Sequence, residues 1–185
     1  MVSTNDFKNG MTIIFNGQVH QIVEFQHVKP GKGHAFVRTR LRNLRTGQMM
    51  ENIFKSKEEV EQAIIERRIV QYLYRDGDNL VFMDVNSFEQ IEVPAKKCEG
   101  LMAYLKPNGE ATATMYDGEV IDATLPFTVE LKVTEAAPGA KGDTATGATK
   151  VVQVETGAMV TVPLFINTGD VIKIDTRTGD YLTRA

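Results

Sequence analysis

The stretch Tyr72-Leu73-Tyr74-Arg75-Asp76-Gly77-Asp78-Asn79-Leu80-Val81-Phe82 decides the fold class of this 185-residue chain. Two runs of aromatic and aliphatic residues flank Asp76-Gly77, and Asp-Gly between such runs is a strong hairpin signal. The same arrangement recurs at Asn16-Gly17 and Asp117-Gly118. Turn signals about every 8 to 12 residues predict an all-β chain of small barrels. Further glycine turns are expected at Thr46-Gly47, Thr168-Gly169 and Thr178-Gly179.

One segment of the middle part predicts a helix. After Pro94, which suits a first helical turn, Cys98, Leu101, Met102 and Leu105 follow the i, i+3, i+4, i+7 spacing of one buried helix face. A single helix between the third and fourth strands of a five-stranded barrel is the arrangement of the oligonucleotide-binding (OB) fold.

A second, weaker helix signal lies further towards the N-terminus. The run Ser56-Lys57-Glu58-Glu59 resembles a capping box and would allow a helix of one or two turns. The residues after it, Ile64-Ile65 and Ile69-Val70, are equally compatible with strand.

The composition is that of an ordinary globular protein, without a segment long and apolar enough to span a bilayer. The residues from Met1 to Lys8 lack the apolar core of a secretion signal. The single cysteine, Cys98, cannot form an internal disulfide and is expected to be a small core residue. These features predict a cytoplasmic location.

Charge is distributed unevenly along the chain. Three parts are expected, residues 1–63, 64–126 and 127–185, and the first has nine Lys and Arg against six Asp and Glu, a net of +3. The middle part has six against eleven, a net of −5, and the last has six against seven, a net of −1. A basic end joined to an acidic middle indicates contact with an anionic partner at chosen places.

The basic charge is concentrated between Glu24 and Glu51. These 26 residues contain no acid, and Lys32 lies there in the sequence Lys29-Pro30-Gly31-Lys32-Gly33. Glycine on both sides and a preceding proline predict that Lys32 stands at an exposed tip between two antiparallel strands, the first from Val19 to Val28. The remaining basic residues of this stretch are Arg38, Arg40, Arg42 and Arg45.

The residues after the tip alternate as a strand does. Arg38, Arg40 and Arg42 fall on one face, with Val37, Thr39 and Leu41 on the other. An acid-free arginine face predicts an anionic partner, most plausibly a phosphate backbone, for which guanidinium groups are suited. Because Phe36 is the only aromatic residue here beyond Phe25, phosphate and shape contacts with folded RNA fit better than base stacking.

Enzymatic and metal-binding alternatives fit poorly, and no catalytic residue, metal or cofactor is expected. Gly31-Lys32 lacks the spacing of a P-loop, and an exposed tip does not lower the pKa of a lysine for Schiff-base chemistry. His20, His27 and His34 are spaced by seven residues, so along a regular strand His27 would face away from its neighbours. Phosphate-facing or surface histidines are expected instead of a metal site.

Two long stretches carry a resemblance to a known family. The run from Phe25 to Arg38, with the Pro30-Gly31-Lys32-Gly33 tip, resembles the first domain of bacterial translation elongation factor P. The last part is similar to the third domain of the same family, so the resemblance covers the chain end to end. Its motifs are Gly142-Asp143-Thr144, Thr156-Gly157-Ala158, Val160, Val162-Pro163-Leu164-Phe165, Gly169-Asp170, Thr176-Arg177-Thr178-Gly179-Asp180-Tyr181 and Arg184.

The resemblance implies an L-shaped molecule with an SH3-like (KOW-type) barrel followed by two OB-fold barrels. Members bind the ribosome between the peptidyl and exit sites and relieve stalling at consecutive prolines. Lys32 would then reach towards peptidyl-tRNA and could carry a β-lysyl or aminopentanol-type addition from a tip-modifying enzyme. The residues that match Tyr181 and Arg184 lie near peptidyl-tRNA in the family, and the loop that matches Gly142-Asp143-Thr144 lies near the exit-site mRNA codon. The chain is expected to act as a monomer.

Two alternatives stay open at this point. An elongation factor P-like paralogue has the same architecture, although the Pro30-Gly31-Lys32-Gly33 tip favours the main factor. A non-ribosomal RNA-binding OB-fold protein would bind free RNA and would be insensitive to changes at Lys32.

Overall fold

A computed structural model describes residues 1–138 and 147–185. The chain is built from strands and turns, which confirms the all-β prediction. It divides into two compact units, the first made of Met1–Arg67 with Thr114–Asp122 and the second of Arg68–Ala113 with Ala123–Ala185. The predicted boundaries at residues 63 and 126 stay a prediction.

The N-terminal part forms a four-stranded antiparallel sheet in the order β2-β3-β4-β5, with a separate pair β1-β6. Its core consists of Phe7, Ile13, Ile22, Val37, Leu41 and Phe54. The bounds of its strands are β1 Val2–Ser3, β2 Thr12–Phe15, β3 Gln18–Val28, β4 Phe36–Asn43, β5 Met49–Lys55 and β6 Glu59–Val60.

The middle part forms a five-stranded sheet in the order β11-β10-β7-β8-β9. A short helix lies between its third and fourth strands along the chain, as the OB prediction requires. The bounds of its elements are β7 Glu66–Asp76, β8 Asn79–Asp84, β9 Gln90–Pro94, α1 Glu99–Met102, β10 Glu110–Tyr116 and β11 Glu119–Thr124.

The C-terminal part forms a second five-stranded antiparallel sheet, in the order β14-β13-β12-β15-β16. Valines, isoleucines and one leucine, each at most 1% exposed, fill its core. The bounds of its strands are β12 Thr128–Ala136, β13 Thr149–Val154, β14 Met159–Pro163, β15 Val171–Asp175 and β16 Tyr181–Arg184.

The helix between β9 and β10 is shorter than its apolar spacing predicts. Ala95–Cys98 forms a 3-10 turn, and α1 adds only Glu99–Met102. Cys98 and Leu105 are buried as predicted, whereas Leu101 and Met102 are half-buried. Gly100 within the segment and the turn at Pro107 explain the short length, because both residue types disfavour helix.

The helix suggested by Ser56-Lys57-Glu58-Glu59 is wrong. This segment is a tight turn between β5 and β6, with Lys57 at φ 63°. The Glu58 carboxylate accepts a hydrogen bond from the Lys55 backbone N–H at 2.8 Å. The glutamate next to Glu59, the acid that suggested a helix cap, therefore closes a turn between strands.

The hairpin turns follow their sequence signals with one shift. Asn16-Gly17 and Asp117-Gly118 have positive φ at both residues, as type I′ turns require. In the opening stretch, however, Asp76 pairs with Asn79, so the two-residue loop is Gly77-Asp78. Of these two loop residues only Gly77 has positive φ, the sign pattern of a type II′ turn with glycine first.

Among the described residues, no helix is long and apolar enough to cross a membrane.

Candidate RNA-contact site

The Lys32 tip is the connection between β3 and β4. Strand pairing ends at Val28 opposite Phe36, and every residue from Lys29 to His34 is exposed. Gly33 has φ +112°, a conformation that favours glycine, whereas Gly31 does not need positive φ. Within residues 1–138 and 147–185, no hydrogen bond or ion pair is found for the Lys32 side chain. The structure therefore places Lys32 where the sequence predicted, at an exposed tip.

The base of the tip is well defined. The rings of Phe25 and His27 meet edge to face at 5.5 Å between their centroids. Ser56 donates its backbone N–H to the carbonyl oxygen of Ala35 at 3.1 Å. The two strands and this contact fix both ends of the loop, so conformational freedom is confined to the few residues around Lys32.

The residues of the arginine face alternate with buried residues along β4, as predicted. Arg38, Arg40 and Arg42 are exposed on β4, while Val37, Thr39 and Leu41, each directly before one of them, are fully buried. Burial of Val37 and Leu41 fixes the register of the strand, because a slip of one residue would turn the arginines into the core.

The arginine face is not free of acids in three dimensions, which corrects the inference from its acid-free sequence. Glu24 on β3 and Glu51 on β5 are both directly opposite Arg40. Glu51 also lies 3.4 Å from the Nε atom of Arg38. These acids and arginines line a cleft of about 280 Å³ together with Phe25 and Gln26. Of the three arginines, Arg42, opposite Gln21 and Met49, is the one with neither an acid at its paired positions nor an ion pair among the described residues.

A β-bulge explains how Glu24 reaches this face. The register shifts between Ile22, which faces Leu41, and Glu24, which faces Arg40, so Val23 is the extra residue. Regular pairing would have placed Glu24 opposite buried Thr39 on the core side. The bulge thus turns an acid outwards and brings it next to an arginine.

The histidines are distributed differently from the prediction. His20 is buried, with Nδ1 3.0 Å from the carbonyl oxygen of Gln18, so it is neither phosphate-facing nor a surface residue. The bulge also puts His27 on the same sheet face as His20, against the expectation from regular alternation. His27 and His34 are exposed. No group of three His, Cys, Asp or Glu that could hold a metal is found in the part of the chain that the structure describes.

The C-terminal candidates are separated from one another along β16. Tyr181 is half-buried against the C-terminal core, while Arg184 is exposed. The guanidinium carbon of Arg184 lies 5.8 Å from the ring centroid of Phe165. Gly142, Asp143 and Thr144, predicted to contact RNA, lie outside the described residues.

A second arginine–aromatic pair, not predicted from the sequence, lies at the turn between β15 and β16. The guanidinium carbon of Arg177 is 4.7 Å from the ring centroid of Phe127. Asp175 accepts hydrogen bonds from Arg177 Nη2 at 2.7 Å and Nε at 3.1 Å, and from the Arg177 backbone N–H at 2.9 Å. These bonds lower the pKa of Asp175 to about 2. Fifty residues separate Phe127 from Arg177, so no local sequence signal joins them.

Three family models match consecutive parts of the chain. The Elongation factor P (EF-P) KOW-like domain matches residues 3–60, the Elongation factor P (EF-P) OB domain residues 65–123, and the Elongation factor P C-terminal model residues 129–184. The KOW and OB classes predicted from the sequence are thereby confirmed.

Individual proteins agree with the family models. Elongation factor P of Moorella thermoacetica is 56% identical over 185 residues, which is 100% of both chains. The solved structure of eukaryotic translation initiation factor 5A from Methanococcus jannaschii is 28% identical with a TM-score of 0.53, covering 68% of this chain and 90% of its own. An eif-5a family protein from Naegleria fowleri, 17% identical with a TM-score of 0.51 over 67% of this chain and 96% of its own, shows likeness of fold alone.

Proposed function

Because this chain belongs to the elongation factor P family, and is therefore a translation elongation factor, we propose that it binds the ribosome between the peptidyl and exit sites. There it positions peptidyl-tRNA and stimulates peptide-bond formation at polyproline stalls. The observation that carries this proposal is the tip itself, an exposed lysine between two glycines at the end of a fixed hairpin.

The physical basis of the proposed action is positioning. Proline is a secondary amine with a fixed ring, so prolyl substrates reach reactive geometry poorly. A factor that holds peptidyl-tRNA in place removes motion that would otherwise have to be frozen during the reaction. The ribosome performs the bond chemistry, and this protein orients the substrate without turnover of its own.

The proposed contacts with RNA are divided among three places. Lys32 reaches the peptidyl-tRNA end, carried by the tip residues Lys29, Pro30, Gly31 and Gly33. Arg38, Arg40 and Arg42 contact phosphates of the ribosome or tRNA, and Arg42 is the one with neither an acid opposite it nor an ion pair among the described residues. At the C-terminal part the candidates are Tyr181 and Arg184 for peptidyl-tRNA and Gly142, Asp143 and Thr144 for the exit-site codon.

Lys32 is also the proposed site of covalent modification. Its exposure gives a modifying enzyme direct access. A β-lysyl or aminopentanol-type addition would lengthen its reach while retaining a cation that can contact phosphates and riboses. The factor works in this proposal as a cytoplasmic monomer, and the intact mass of protein from its native cell would identify the added group.

The decisive experiment is Lys32→Ala in reconstituted translation of a Pro-Pro-Pro reporter. Rescue is expected to be lost, while the urea unfolding curve stays that of the unchanged protein because Lys32 contributes no described contact. Lys8→Ala, an exposed lysine elsewhere in the same unit, is the matched control and should rescue normally. Undiminished rescue by Lys32→Ala would contradict the assignment of the tip.

A second measurement separates the ribosomal role from general RNA binding. The affinity of the protein for intact ribosomes is compared with its affinity for free ribosomal RNA fragments. Preference for ribosomes that depends on Lys32 supports the proposal. Equal affinity for free RNA, unchanged by Lys32→Ala, would favour a non-ribosomal RNA-binding protein instead.

A further inference from the structure

An aromatic ring directly before β12 and a cation in the turn between β15 and β16 lie together on the surface. Phe127 is 70% exposed, although phenylalanine is ordinarily among the more buried residue types. The guanidinium of Arg177 lies within cation–π distance of this ring, at 4.7 Å from its centroid. Much of the ring is therefore still accessible to another planar group.

Arg177 is held in this position by Asp175. The carboxylate of Asp175 is largely buried and accepts two hydrogen bonds from the guanidinium, through Nε and Nη2. Two parallel bonds of this kind fix the plane of the guanidinium as well as its position. Among the contacts of the described residues none uses Nη1, which is therefore the nitrogen that remains for an acceptor outside the chain.

The backbone of Phe127, which directly precedes β12, is held against the same turn. Its carbonyl oxygen accepts a hydrogen bond from the Thr176 backbone N–H at 2.9 Å. The Thr176 hydroxyl donates to the carbonyl oxygen of Pro126 at 2.5 Å. Thr128, the next residue, pairs with Asp175 at the start of β12. The fold thus fixes the guanidinium, and beside it the backbone that carries the Phe127 ring, before any partner arrives.

We propose that Phe127 and Arg177 form a binding site for one unpaired RNA nucleobase, which stacks on Phe127 while Arg177 contacts the adjoining phosphate. Stacking on an exposed aromatic side chain beside a cation is how proteins bind unpaired bases without sequence readout. The site extends the proposed function, on which it rests, from the phosphate contacts of the tip and arginine face to a base-stacking contact in the C-terminal part.

The pair formed by Phe165 and Arg184 provides a comparison within the same sheet. Its ring is 57% exposed, and its guanidinium lies further from the ring centroid, at 5.8 Å. No ion pair holds Arg184 among the residues that the structure describes. The Phe127 site is the better preorganised of the two, because its cation does not have to be ordered when a ligand binds.

The first test uses the absence of tryptophan from the chain, because an introduced tryptophan is then the sole source of tryptophan fluorescence. Phe127→Trp is titrated with a single-stranded RNA hexamer of adenosines, and with an abasic oligomer of the same charge. Saturable fluorescence quenching by the adenosine hexamer alone is expected, because only a base can stack on the indole. Phe88→Trp, at a position that is equally 70% exposed, is the matched control and should not be quenched saturably.

Two outcomes of this titration would overturn the site. One is no saturable quenching of Phe127→Trp up to about 1 mM hexamer, which is above ordinary non-specific dissociation constants. The other is equal quenching by the abasic oligomer, which would reduce the site to a phosphate contact.

The second test separates this site from the proposed function as a whole. Phe127→Leu should weaken binding to ribosomes about five-fold or more, the factor that corresponds to loss of one stacked base. Phe88→Leu should leave ribosome binding unchanged. If the unchanged protein binds ribosomes and rescues the Pro-Pro-Pro reporter but Phe127→Leu does so equally well, the stacking site is wrong and the proposed function stands. If the unchanged protein neither binds ribosomes nor rescues the Pro-Pro-Pro reporter, the proposed function is wrong, and the stacking site loses the function on which it rests.

Discussion

Two turns of this protein each present a cation, and they do so in opposite ways. Lys32 stands between two glycines in a loop whose residues are all exposed, and no contact fixes its side chain within the described part of the chain. Arg177 stands in a shorter turn, and three hydrogen bonds to Asp175 and the ring of Phe127 fix it. Folding orders the second cation and leaves the first without a contact among the described residues.

The difference determines what each turn can contribute. Freezing a long side chain costs conformational entropy, so a partner of Lys32 must supply that cost at the moment of contact. In return the tip can adapt to its target or accept a modification. Arg177 offers a fixed geometry and no adaptability. Changes near Lys32 should therefore affect function, and changes near Arg177 should affect stability as well.

The largest expected effect on stability is that of Gly179→Ala, at the end of the Arg177 turn. Gly179 has φ +78°, and an added Cβ would lie 2.5 Å from the hydroxyl oxygen of Tyr104. Backbone strain and overpacking together should lower the free energy of unfolding by about 2–4 kcal/mol, measured by urea denaturation.

Gly169→Ala is the matched control for Gly179→Ala. Gly169 has φ +92° with nothing within 4 Å of the added Cβ, so only the backbone cost of about 1–2 kcal/mol is expected. Tyr104→Phe combined with Gly179→Ala should recover the difference, because it removes the clashing oxygen. Equal costs for the two alanine substitutions would show that Tyr104 does not restrict this turn.

The next effect is the dependence of stability on pH that Asp175 introduces. Its pKa in the folded protein is about 2, below the ordinary value of 3.8, chiefly because Arg177 donates to the carboxylate. The contribution of the ionised pair is fully present above about pH 4 and is lost as the pH falls towards 2. The urea midpoint of the unchanged protein should therefore decrease in this range.

Asp175→Asn should lower the urea midpoint at pH 7 and reduce its decrease between pH 4 and pH 2. Asp180→Asn is the control, since this exposed acid in the same turn makes no side-chain hydrogen bond among the described residues. Parallel pH profiles for the unchanged protein and Asp175→Asn would mean that the pair does not fix Arg177 in solution.

A smaller effect is expected at the Lys32 tip from Gly33→Ala. Gly33 has φ +112°, which alanine adopts at a cost of about 1 kcal/mol or more, so about one fifth of the molecules or fewer keep the tip conformation. Rescue of a Pro-Pro-Pro reporter at limiting protein should decrease about five-fold, while the urea midpoint decreases by no more than it does in Gly169→Ala. Gly31→Ala, without positive φ and with open space around its Cβ, should retain rescue. Equal rescue by both variants would show that the tip conformation is formed only on the partner.

The smallest effect concerns the arginine face below the tip. Arg38 and Glu51 are 50% and 61% exposed, so their ion pair contributes at most about 1 kcal/mol to stability. Glu51→Gln should leave the urea midpoint nearly unchanged. It should strengthen ribosome binding at low salt, and the plot of log affinity against log salt concentration should become steeper by about one released counterion. Glu61→Gln, an exposed acid away from this face, is the control. An unchanged slope for Glu51→Gln would mean that the arginine face does not contact phosphates.

Local sequence signals predicted correctly those features that depend only on neighbouring residues. Asn16-Gly17 and Asp117-Gly118 form the turns that their φ preferences dictate, and the exposed Arg38, Arg40 and Arg42 follow from the period of two in a strand. The same reasoning failed where one residue shifts a pattern. The bulge at Val23 reverses the alternation of β3, and Gly77-Asp78 takes the turn that Asp76-Gly77 signals.

Pairs that are distant in sequence could not be predicted. The 26-residue interval without acids indicated an arginine face that carries positive charge alone. The two acids that bound the interval, Glu24 and Glu51, nevertheless pair with Arg40 from the two neighbouring strands. Phe127 and Arg177 likewise meet only because β12 pairs with β15. Neither pair leaves a signal at a fixed spacing along the chain.

The sequence by itself determined the all-β class, the exposed Lys32 tip and the alternation of arginines with buried residues, because these depend on φ preferences and on which residues avoid water. Only the tertiary structure decided which charges neighbour the arginines, which histidine is buried, and which aromatic ring carries a fixed cation. Those features depend on strand register across tens of residues, and register is set by packing of the whole sheet rather than by any short segment.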